Sequence, residues 1–250
     1  MIQRPVFAAN WKMNHGPSEA RAFMARFTAR SAPRTDRTLI FFPPAISLAA
    51  VVASLGARRD PAIGIQNIWT EDKGAFTGET SAAMAKDAGA TYALVGHSER
   101  RHVFGETDAE TGKKCAAAVR NGLIPILCVG ELLAEREAGI TNDVVLRQLR
   151  AGLSALDPDV VANMAIAYEP VWAIGTGKTA TPEDAEIVHA AIRVELRTMI
   201  GDAAESVPIL YGGSVNKANA ATLLAERDVD GLLVGGASLD VEGWASICDT

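Results

Sequence analysis

Cysteine and histidine are scarce in this chain, and their placement argues against two common kinds of site. The three cysteines, Cys115, Cys128 and Cys248, are odd in number, lie far apart and include no C-x-x-C pair. They are typical of free thiols in a reducing compartment, not of a disulfide framework. The four histidines show no zinc-ligand spacing, so we expect no metal site.

An excess of basic charge is also missing. The chain has 24 Lys and Arg against 30 Asp and Glu, which gives a formal net charge of −6. A nucleic-acid-binding protein normally presents a basic face, so we expect no nucleic-acid partner. The overall charge does not exclude a small anionic ligand, because the local field around a site decides that.

Long apolar runs are absent as well. The uncharged segment at residues 39–57 is interrupted by Pro43 and Pro44 and diluted by serine and glycine. A short strand, a turn and a helix fit this segment better than a membrane span. The N-terminal residues lack the apolar region and cleavage site of a signal peptide. We therefore expect a cytoplasmic protein with no membrane partner.

Eight short apolar runs do recur along the 250 residues, and none has the alternating pattern of a half-exposed strand. Such runs are typical of strands covered on both faces of a parallel sheet. The spacing between them leaves room for a loop and a helix each time. The runs are Val6–Ala9, Leu39–Phe42, Ile63–Ile65, Tyr92–Val95, Ile124–Val129, Met164–Tyr168, Val207–Tyr211 and Leu232–Val234.

Helix signals lie between these runs. Thr181 offers an N-cap before Pro182, and Gly201 ends the apolar pattern that follows. Thr107 and Glu110 form a capping box that opens a helix ending near residues 121–122. Weaker patterns predict helices at residues 18–32, 45–55 and 217–226. Eight strand–helix units without a linker predict one α/β domain, residues 1–250, folded as a (β/α)8 barrel with eight parallel strands ringed by helices. A doubly wound open sheet is the alternative.

Polar residues and glycines directly follow several of these runs. In a barrel the C-terminal ends of all strands meet at one rim, so these residues would converge there. A Glu, a His and a Lys around one pocket can transfer a proton at a carbon beside a carbonyl. Taken singly, each has an ordinary explanation as a solvated lysine, a structural histidine, a capping glutamate or a glycine turn. The residues are Asn10, Lys12, Gly96–Arg100, Glu169, Gly212–Ser214, Gly235 and Gly236.

The glycines after the last two runs predict an anion site. Glycine lets backbone N–H groups approach an anion closely. The loops after strands 7 and 8 of such barrels commonly bind phosphate. Lys12 would add positive charge, so Gly213, Ser214, Gly235 and Gly236 indicate a phosphorylated ligand.

Six longer stretches resemble the triosephosphate isomerase family and occur in the family's order. They are Asn10–Asn14, Gly74–Glu79, Gly96–Arg101, Ala167–Gly177, Tyr211–Val215 and Val234–Leu239. The resemblance extends from about residue 4 to about residue 245 and implies a TIM barrel. It also implies interconversion of dihydroxyacetone phosphate and D-glyceraldehyde 3-phosphate through an enediolate, a step of glycolysis and gluconeogenesis. The stretch Glu131-Leu132-Leu133 and the end of the chain after Trp244 depart from the family pattern.

The resemblance implies roles for five side chains. Glu169 would be the base that moves a proton between adjacent carbons, and His97 would stay neutral and polarise the carbonyl. Lys12 would stabilise negative charge on the enediolate and the phosphate, and Asn10 would orient the substrate. Glu99 would lie beside Lys12 in a supporting role. The reaction has no redox step, so we expect no cofactor.

The resemblance further implies phosphate-binding backbone groups and a lid that closes over the ligand to exclude water. The phosphate would be held by Gly175, Ser214, Gly235 and Gly236, together with Asn10 and Lys12. The lid would consist of Pro170, Val171, Trp172, Ala173, Ile174, Gly175, Thr176, Gly177, Lys178 and Thr179.

Members of this family are usually homodimers, which makes a second copy of the chain the expected protein partner. The loop at residues 71–79 would reach toward the partner's active site, with Thr77 at its tip. Phe76 favours such a contact, because an exposed aromatic side chain is otherwise unfavourable at a surface.

Two other functions stay open at this point. A Schiff-base aldolase on the same fold would use Lys12 as its nucleophile, and borohydride would then trap a substrate on that lysine. A non-catalytic barrel that binds a phosphosugar would tolerate the loss of Glu169 or His97. An isomerisation assay discriminates among the three.

Overall fold

The computed structural model describes residues 2–174 and 180–250, which form a closed barrel of eight parallel strands. Each strand pairs with the next one in sequence, and the first also pairs with the last. The strands are β1 (Val6–Asn10), β2 (Thr38–Phe42), β3 (Pro61–Ile65), β4 (Tyr92–Val95), β5 (Ile124–Val129), β6 (Ala165–Tyr168), β7 (Ile209–Tyr211) and β8 (Gly231–Val234). The predicted barrel of eight parallel strands is confirmed, and the strand ends differ from the predicted ones by at most two residues.

Helices connect the strands and surround the barrel. They are α1 (Pro17–Arg30), α2 (Ala45–Ser54), α3 (Ala82–Asp87), α4 (Ser98–His102), α5 (Asp108–Arg120), α6 (Leu133–Glu137), α7 (Thr141–Leu153), α8 (Pro158–Val161), α9 (Pro182–Ile200), α10 (Ala220–Leu224) and α11 (Val241–Cys248). Short 3-10 turns lie at Val171–Ala173, Gly201–Ser206 and Gly236–Ser238. Within residues 2–174 and 180–250, no helix combines the length and the apolar character that a membrane span requires.

The predicted caps define the ends of two of these helices. Thr181 accepts a hydrogen bond from the Asp184 N–H at 3.0 Å, and α9 ends at Gly201, whose φ is 63°. Thr107 caps α5 by accepting from the Glu110 N–H at 3.2 Å. Both caps satisfy backbone donors that would otherwise lack a partner.

The barrel has an apolar layer on each side of its sheet. Along β1, Val6 and Ala8 pack inside the barrel, whereas Phe7 and Ala9 pack against the surrounding helices. Successive residues of a strand point to opposite faces, so both faces of β1 are buried. This explains why the strand sequences show no alternation of apolar and polar residues.

The helix after β7 is shorter than predicted and begins only at Ala220. Two asparagine side chains form hydrogen bonds with the backbone groups that precede this helix. The Asn219 amide accepts from the Asn216 N–H at 2.8 Å and donates to the Ser214 carbonyl at 2.9 Å. Asparagine side chains that bond to nearby backbone in this way compete with helix formation. The result is a fixed loop that carries Ser214.

Candidate active site

A pocket opens at the C-terminal ends of the strands, where the sequence predicts a site. It brings together residues that follow β1, β4, β6, β7 and β8. The lining residues are Asn10, Lys12, His97, Glu169, Ile174, Gly212, Gly213, Ser214, Val215, Leu233, Gly235, Gly236 and Ala237. The pocket thus contains Asn10, Lys12, His97, Glu169 and the predicted phosphate-binding residues that the structure describes.

The alternation of the strands places two of these side chains over the barrel interior. Asn10 continues the inward series of Val6 and Ala8, and Glu169 continues the inward series of Ala165 and Ala167. Both side chains are buried although both are polar. Buried polar groups need partners, so their contacts define the site.

Glu169 is held by two donors. His97 Nε2 lies 2.9 Å from Glu169 Oε1, and the Ser98 N–H donates to Glu169 Oε2 at 2.8 Å. Burial alone would raise the pKa of Glu169, but His97, the Ser98 N–H and Lys12 outweigh it and lower that pKa. The carboxylate is therefore ionised at neutral pH.

The His97 ring caps the N-terminus of α4. Its Nδ1 accepts the Glu99 N–H at 3.2 Å, so the proton of the neutral ring lies on Nε2 and points at Glu169. Burial alone would lower the pKa of His97, but the adjoining Glu169 carboxylate outweighs burial and raises it. Protonation of Nδ1 would break the bond to the helix N-terminus, which favours the neutral ring.

Lys12 enters the pocket from an unusual backbone conformation. Its φ is 51°, in the left-handed region that non-glycine residues seldom adopt. Three side chains fix this conformation and the ammonium group. Asn10 Oδ1 accepts the Lys12 N–H at 3.0 Å, and Gln66 Nε2 donates to the Lys12 carbonyl at 2.8 Å. The Lys12 ammonium lies 2.7 Å from Glu99 Oε1, although Glu99 itself is not among the lining residues.

Two glycines let the backbone approach these charged side chains. A Cβ at Gly212 would lie 2.8 Å from Glu169 Cγ, which is too close for an ordinary contact. A Cβ at Gly235 would lie 3.4 Å from Lys12 Cε, in contact with the lysine stem. The pocket thus joins a buried carboxylate, an imidazole and an ammonium with glycine backbone. This set can move a proton at a carbon while stabilising negative charge on oxygen.

Comparison with known proteins identifies the family. A family model described as triosephosphate isomerase matches residues 5–250. A triosephosphate isomerase of Symbiobacterium thermophilum is 50% identical over 248 residues, which cover 99% of this chain and 96% of that protein. Those of Moorella thermoacetica and Herpetosiphon aurantiacus are each 48% identical, and each match covers 98% of both chains. The chain belongs to the triosephosphate isomerase family.

Part of the lid expected for a triosephosphate isomerase lies within the described residues. Pro170 precedes the 3-10 turn Val171–Ala173, and Ile174 lines the pocket. Gly175, Thr176, Gly177, Lys178 and Thr179 lie outside the described residues, so their predicted lid and phosphate roles stay predictions.

Glu131 is a residue that the sequence did not single out for a role. Its side chain is fully buried after β5, where Oε1 accepts from the Trp172 indole N–H at 2.8 Å and from the Tyr168 hydroxyl at 3.1 Å. Burial raises the pKa of this carboxyl group. Glu131 thereby ties the strand that carries Glu169 to the turn that follows it.

The loop predicted to reach a second subunit lies outside the pocket. Residues 71–79 are exposed. The Phe76 side chain is 40% exposed, and its ring packs 5.5 Å from that of Trp69. Thr77 lies next to it at the surface. In the described residues, no group of three or more His, Cys, Asp or Glu is placed to hold a metal ion.

Proposed function

We propose that this chain interconverts dihydroxyacetone phosphate and D-glyceraldehyde 3-phosphate by moving a proton between adjacent carbons through an enediolate. The observation that supports this proposal most strongly is the buried pair of Glu169 and His97 beside Lys12 at the barrel rim. His97 Nε2 lies 2.9 Å from Glu169 Oε1. Membership of the triosephosphate isomerase family supports the triose phosphate as substrate and a place in glycolysis and gluconeogenesis. Residues 1–250 act as one barrel domain in this proposal, with no cofactor.

Glu169 is the proposed base. Its lowered pKa keeps it ionised, and its carboxylate reaches the pocket from the end of β6. It accepts the proton from one carbon of the triose and returns it to the next. Because one carboxylate serves both carbons, the atoms balance without a redox partner.

His97 is the proposed electrophile. A substrate oxygen that takes the place of Glu169 at Nε2 removes the carboxylate contact that raises the pKa of His97. The ring then stays neutral, because Nδ1 continues to accept the Glu99 N–H. Its Nε2–H donates to the carbonyl oxygen and passes a proton between the two oxygens of the enediolate.

Lys12 and Asn10 are the proposed partners of the substrate oxygens. The Lys12 ammonium stabilises the charge on the enediolate and the phosphate, and Asn10 fixes the orientation of the substrate. Glu99 holds the ammonium in place through its contact at 2.7 Å. Fixed charges of this kind stabilise a transition state without reorganising during the reaction.

The proposed phosphate site lies in the loops after β7 and β8. Ser214, Gly235 and Gly236 line the pocket, and their N–H groups, with that of Gly175, would hold the phosphate oxygens. The lid, Pro170 to Thr179, would close over that anion and exclude water from the enediolate.

We also propose a homodimer. Several apolar side chains are exposed on the loops and helices that follow β1 to β4, and an interface between two copies of the chain would remove such apolar surface from water. They are Met13 (95% exposed), Ile46 (77%), Phe76 (40%), Met84 (59%), Val103 (72%) and Phe104 (65%). The loop with Phe76 and Thr77 would contact the partner.

A coupled assay tests the proposed activity. Purified protein is given D-glyceraldehyde 3-phosphate, and formation of dihydroxyacetone phosphate is followed by NADH oxidation in the coupling reaction. We expect rapid turnover that survives incubation with substrate and borohydride. Absence of turnover contradicts the proposal, and borohydride-dependent labelling of Lys12 would indicate an aldolase instead.

A further inference from the structure

Arg136 does not line the pocket, but its guanidinium contacts the turn after Glu169, the first turn of α9 and the side chain of Glu131. Arg136 belongs to the short helix α6, and its side chain is 28% exposed. One face of the guanidinium lies over the Trp172 ring, with 4.6 Å from Cζ to the ring centroid. Its Nη2 donates to Asp184 Oδ1 at 2.5 Å. Its Nη1 lies 3.6 Å from Glu131 Oε1.

On one side, Arg136 stabilises the turn that follows Glu169. Trp172 lies in this turn, three residues after Glu169. The indole N–H and the backbone N–H of Val171 both donate to Glu131, at 2.8 and 3.1 Å. A flat guanidinium against the indole face adds a cation–π contact that a lysine cannot reproduce with the same geometry.

On the other side, Arg136 is attached to a long helix. Asp184 lies in the first turn of α9, which has 19 residues. Its Oδ2 accepts the Thr181 N–H at 3.0 Å and so caps the helix, while Oδ1 faces Arg136. The capped helix therefore gives Arg136 a fixed point of attachment.

We propose that Arg136 is a positioning residue for the reaction. Anchored by its ion pair with Asp184, the guanidinium holds Trp172 against Glu131. It thereby sets the place of the Glu169 carboxylate at the start of the same segment. Without the guanidinium, Trp172 loses the contact on its ring face and the turn can shift. This inference rests on the proposed function, because the residue that Arg136 would position, Glu169, is the proposed base. A displacement of about 1 Å at a reacting group can cost about 10²-fold in rate.

The test compares Arg136→Met with three related variants. Arg136→Lys keeps the charge beside Asp184 but loses the flat contact with Trp172. Asp184→Asn keeps a cap oxygen but loses the ion pair, and the double variant combines it with Arg136→Met. The matched control is Arg150→Met, which removes an exposed arginine bonded to Glu195 at 2.6 and 2.9 Å. For each, kcat and the primary deuterium isotope effect on kcat are measured with substrate deuterated at the transferred position.

We expect kcat of Arg136→Met to fall about tenfold, less than for a full 1 Å displacement of the base. The isotope effect rises as proton transfer becomes the slow step. For Arg136→Lys, we expect kcat and the isotope effect to lie between those of Arg136→Met and the wild type. For the double variant, we expect a kcat no lower than that of Arg136→Met alone. The control keeps both wild-type values. The isotope effect is a ratio, so loss of folded protein does not change it.

Three results overturn the inference. One is wild-type kcat in folded Arg136→Met, and another is a lower kcat without a larger isotope effect, which assigns Arg136 a purely structural role. The third is an equal effect of Arg150→Met. An inactive wild type would overturn the proposed function as well, whereas an active wild type with an unaffected Arg136→Met overturns this inference alone.

Discussion

The contact between Glu169 and His97 determines the charge of both residues before any ligand arrives. The carboxylate raises the pKa of His97 against the effect of burial, and the imidazole helps to lower the pKa of Glu169. A substrate that separates the two meets an ionised base and a ring whose Nδ1 cannot take up a proton without losing the Glu99 N–H. This arrangement is the one that the proposed roles of base and electrophile require.

Shortening the base tests its position. Glu169→Asp withdraws the carboxylate by one methylene, about 1 Å, so it no longer meets the transferred proton. Because a misplacement of this size can cost about 10²-fold in rate, kcat should fall by that order. KM should rise far less, since the substitution leaves the proposed phosphate site unchanged. Steady-state kinetics checks this, and a kcat within twofold of wild type would remove Glu169 from the mechanism.

At the residue scale, the sequence predicts those site residues that directly follow a strand. Asn10 and Glu169 could be found because each directly follows an apolar run that predicts a strand. Glu131 and Arg136 could not be assigned roles, because their contacts with Trp172 join segments about 40 residues apart. No local pattern signals a contact of that kind.

At the scale of elements, the loops after β7 and β8 build one wall of the pocket from backbone. Asn216 and Asn219 hold the first loop, and the second turns into the 3-10 turn Gly236–Ser238. A Cβ at Gly235 would lie 3.4 Å from Lys12 Cε, so this wall lies directly against the lysine side chain.

Gly235→Val tests that wall. A Cβ at this position would already touch Lys12 Cε at 3.4 Å, so a branched side chain blocks approach of the phosphate to the backbone. We expect kcat/KM for D-glyceraldehyde 3-phosphate to fall at least tenfold, roughly 1.4 kcal/mol in transition-state stabilisation. The dissociation constant of 2-phosphoglycolate should rise in parallel. Unphosphorylated glyceraldehyde is the internal control, and its slow turnover should change little. Normal inhibitor binding would place the phosphate elsewhere.

The elements themselves were predictable to different degrees. All eight strands could be found because both of their faces are buried, which leaves short, purely apolar runs. The helices α5 and α9 could be predicted from the capping residues at their ends. The pattern at residues 217–226 predicted too long a helix, because the Asn216 and Asn219 side chains compete for the same backbone groups. Whether the side chains or the helix bind these backbone groups depends on the conformation of the whole loop, which the local sequence does not indicate.

At the scale of the whole molecule, one fully buried histidine links stability to pH. His189 Nδ1 lies 3.0 Å from the Asp228 carbonyl and donates to it, and Nε2 has no partner among the described residues. Burial lowers the pKa of His189 to about 4, while Asp228, Asp230 and Arg193 lie around it. The folded state therefore holds this ring neutral.

Stability should fall as the pH drops from about 6.5 to about 4. Above this window the ring is neutral in both states; within it only the unfolded chain takes up the proton. The loss contributed by His189 is about 3 kcal/mol once the window has been crossed. Urea unfolding of wild type and His189→Gln, at one protein concentration and several pH values, measures it. We expect the stability advantage of the wild type to shrink with falling pH, and parallel curves would contradict the assignment.

The proposed homodimer is also tested at this scale. Val103 is 72% exposed in the single chain, so Val103→Glu should leave the barrel folded but place a charge in the interface. We expect sedimentation to give a dimer for the wild type and a monomer for the variant. Val194→Glu, at a similarly exposed position on α9, is the matched control and should stay dimeric. A dimeric Val103→Glu would move the interface to another surface.

The proposed function depends most on Glu169, which we propose moves a proton between adjacent carbons of a triose phosphate. The most direct measurement follows dihydroxyacetone phosphate in D2O by NMR, with wild type and Glu169→Gln side by side. We expect rapid formation of D-glyceraldehyde 3-phosphate in the wild type, with deuterium at C2 wherever the proton held by Glu169 exchanges with D2O before it is delivered. We expect a loss of at least about 10²-fold in the variant, since a neutral amide cannot accept the proton. Equal rates for the two proteins, or no conversion by the wild type, would contradict it.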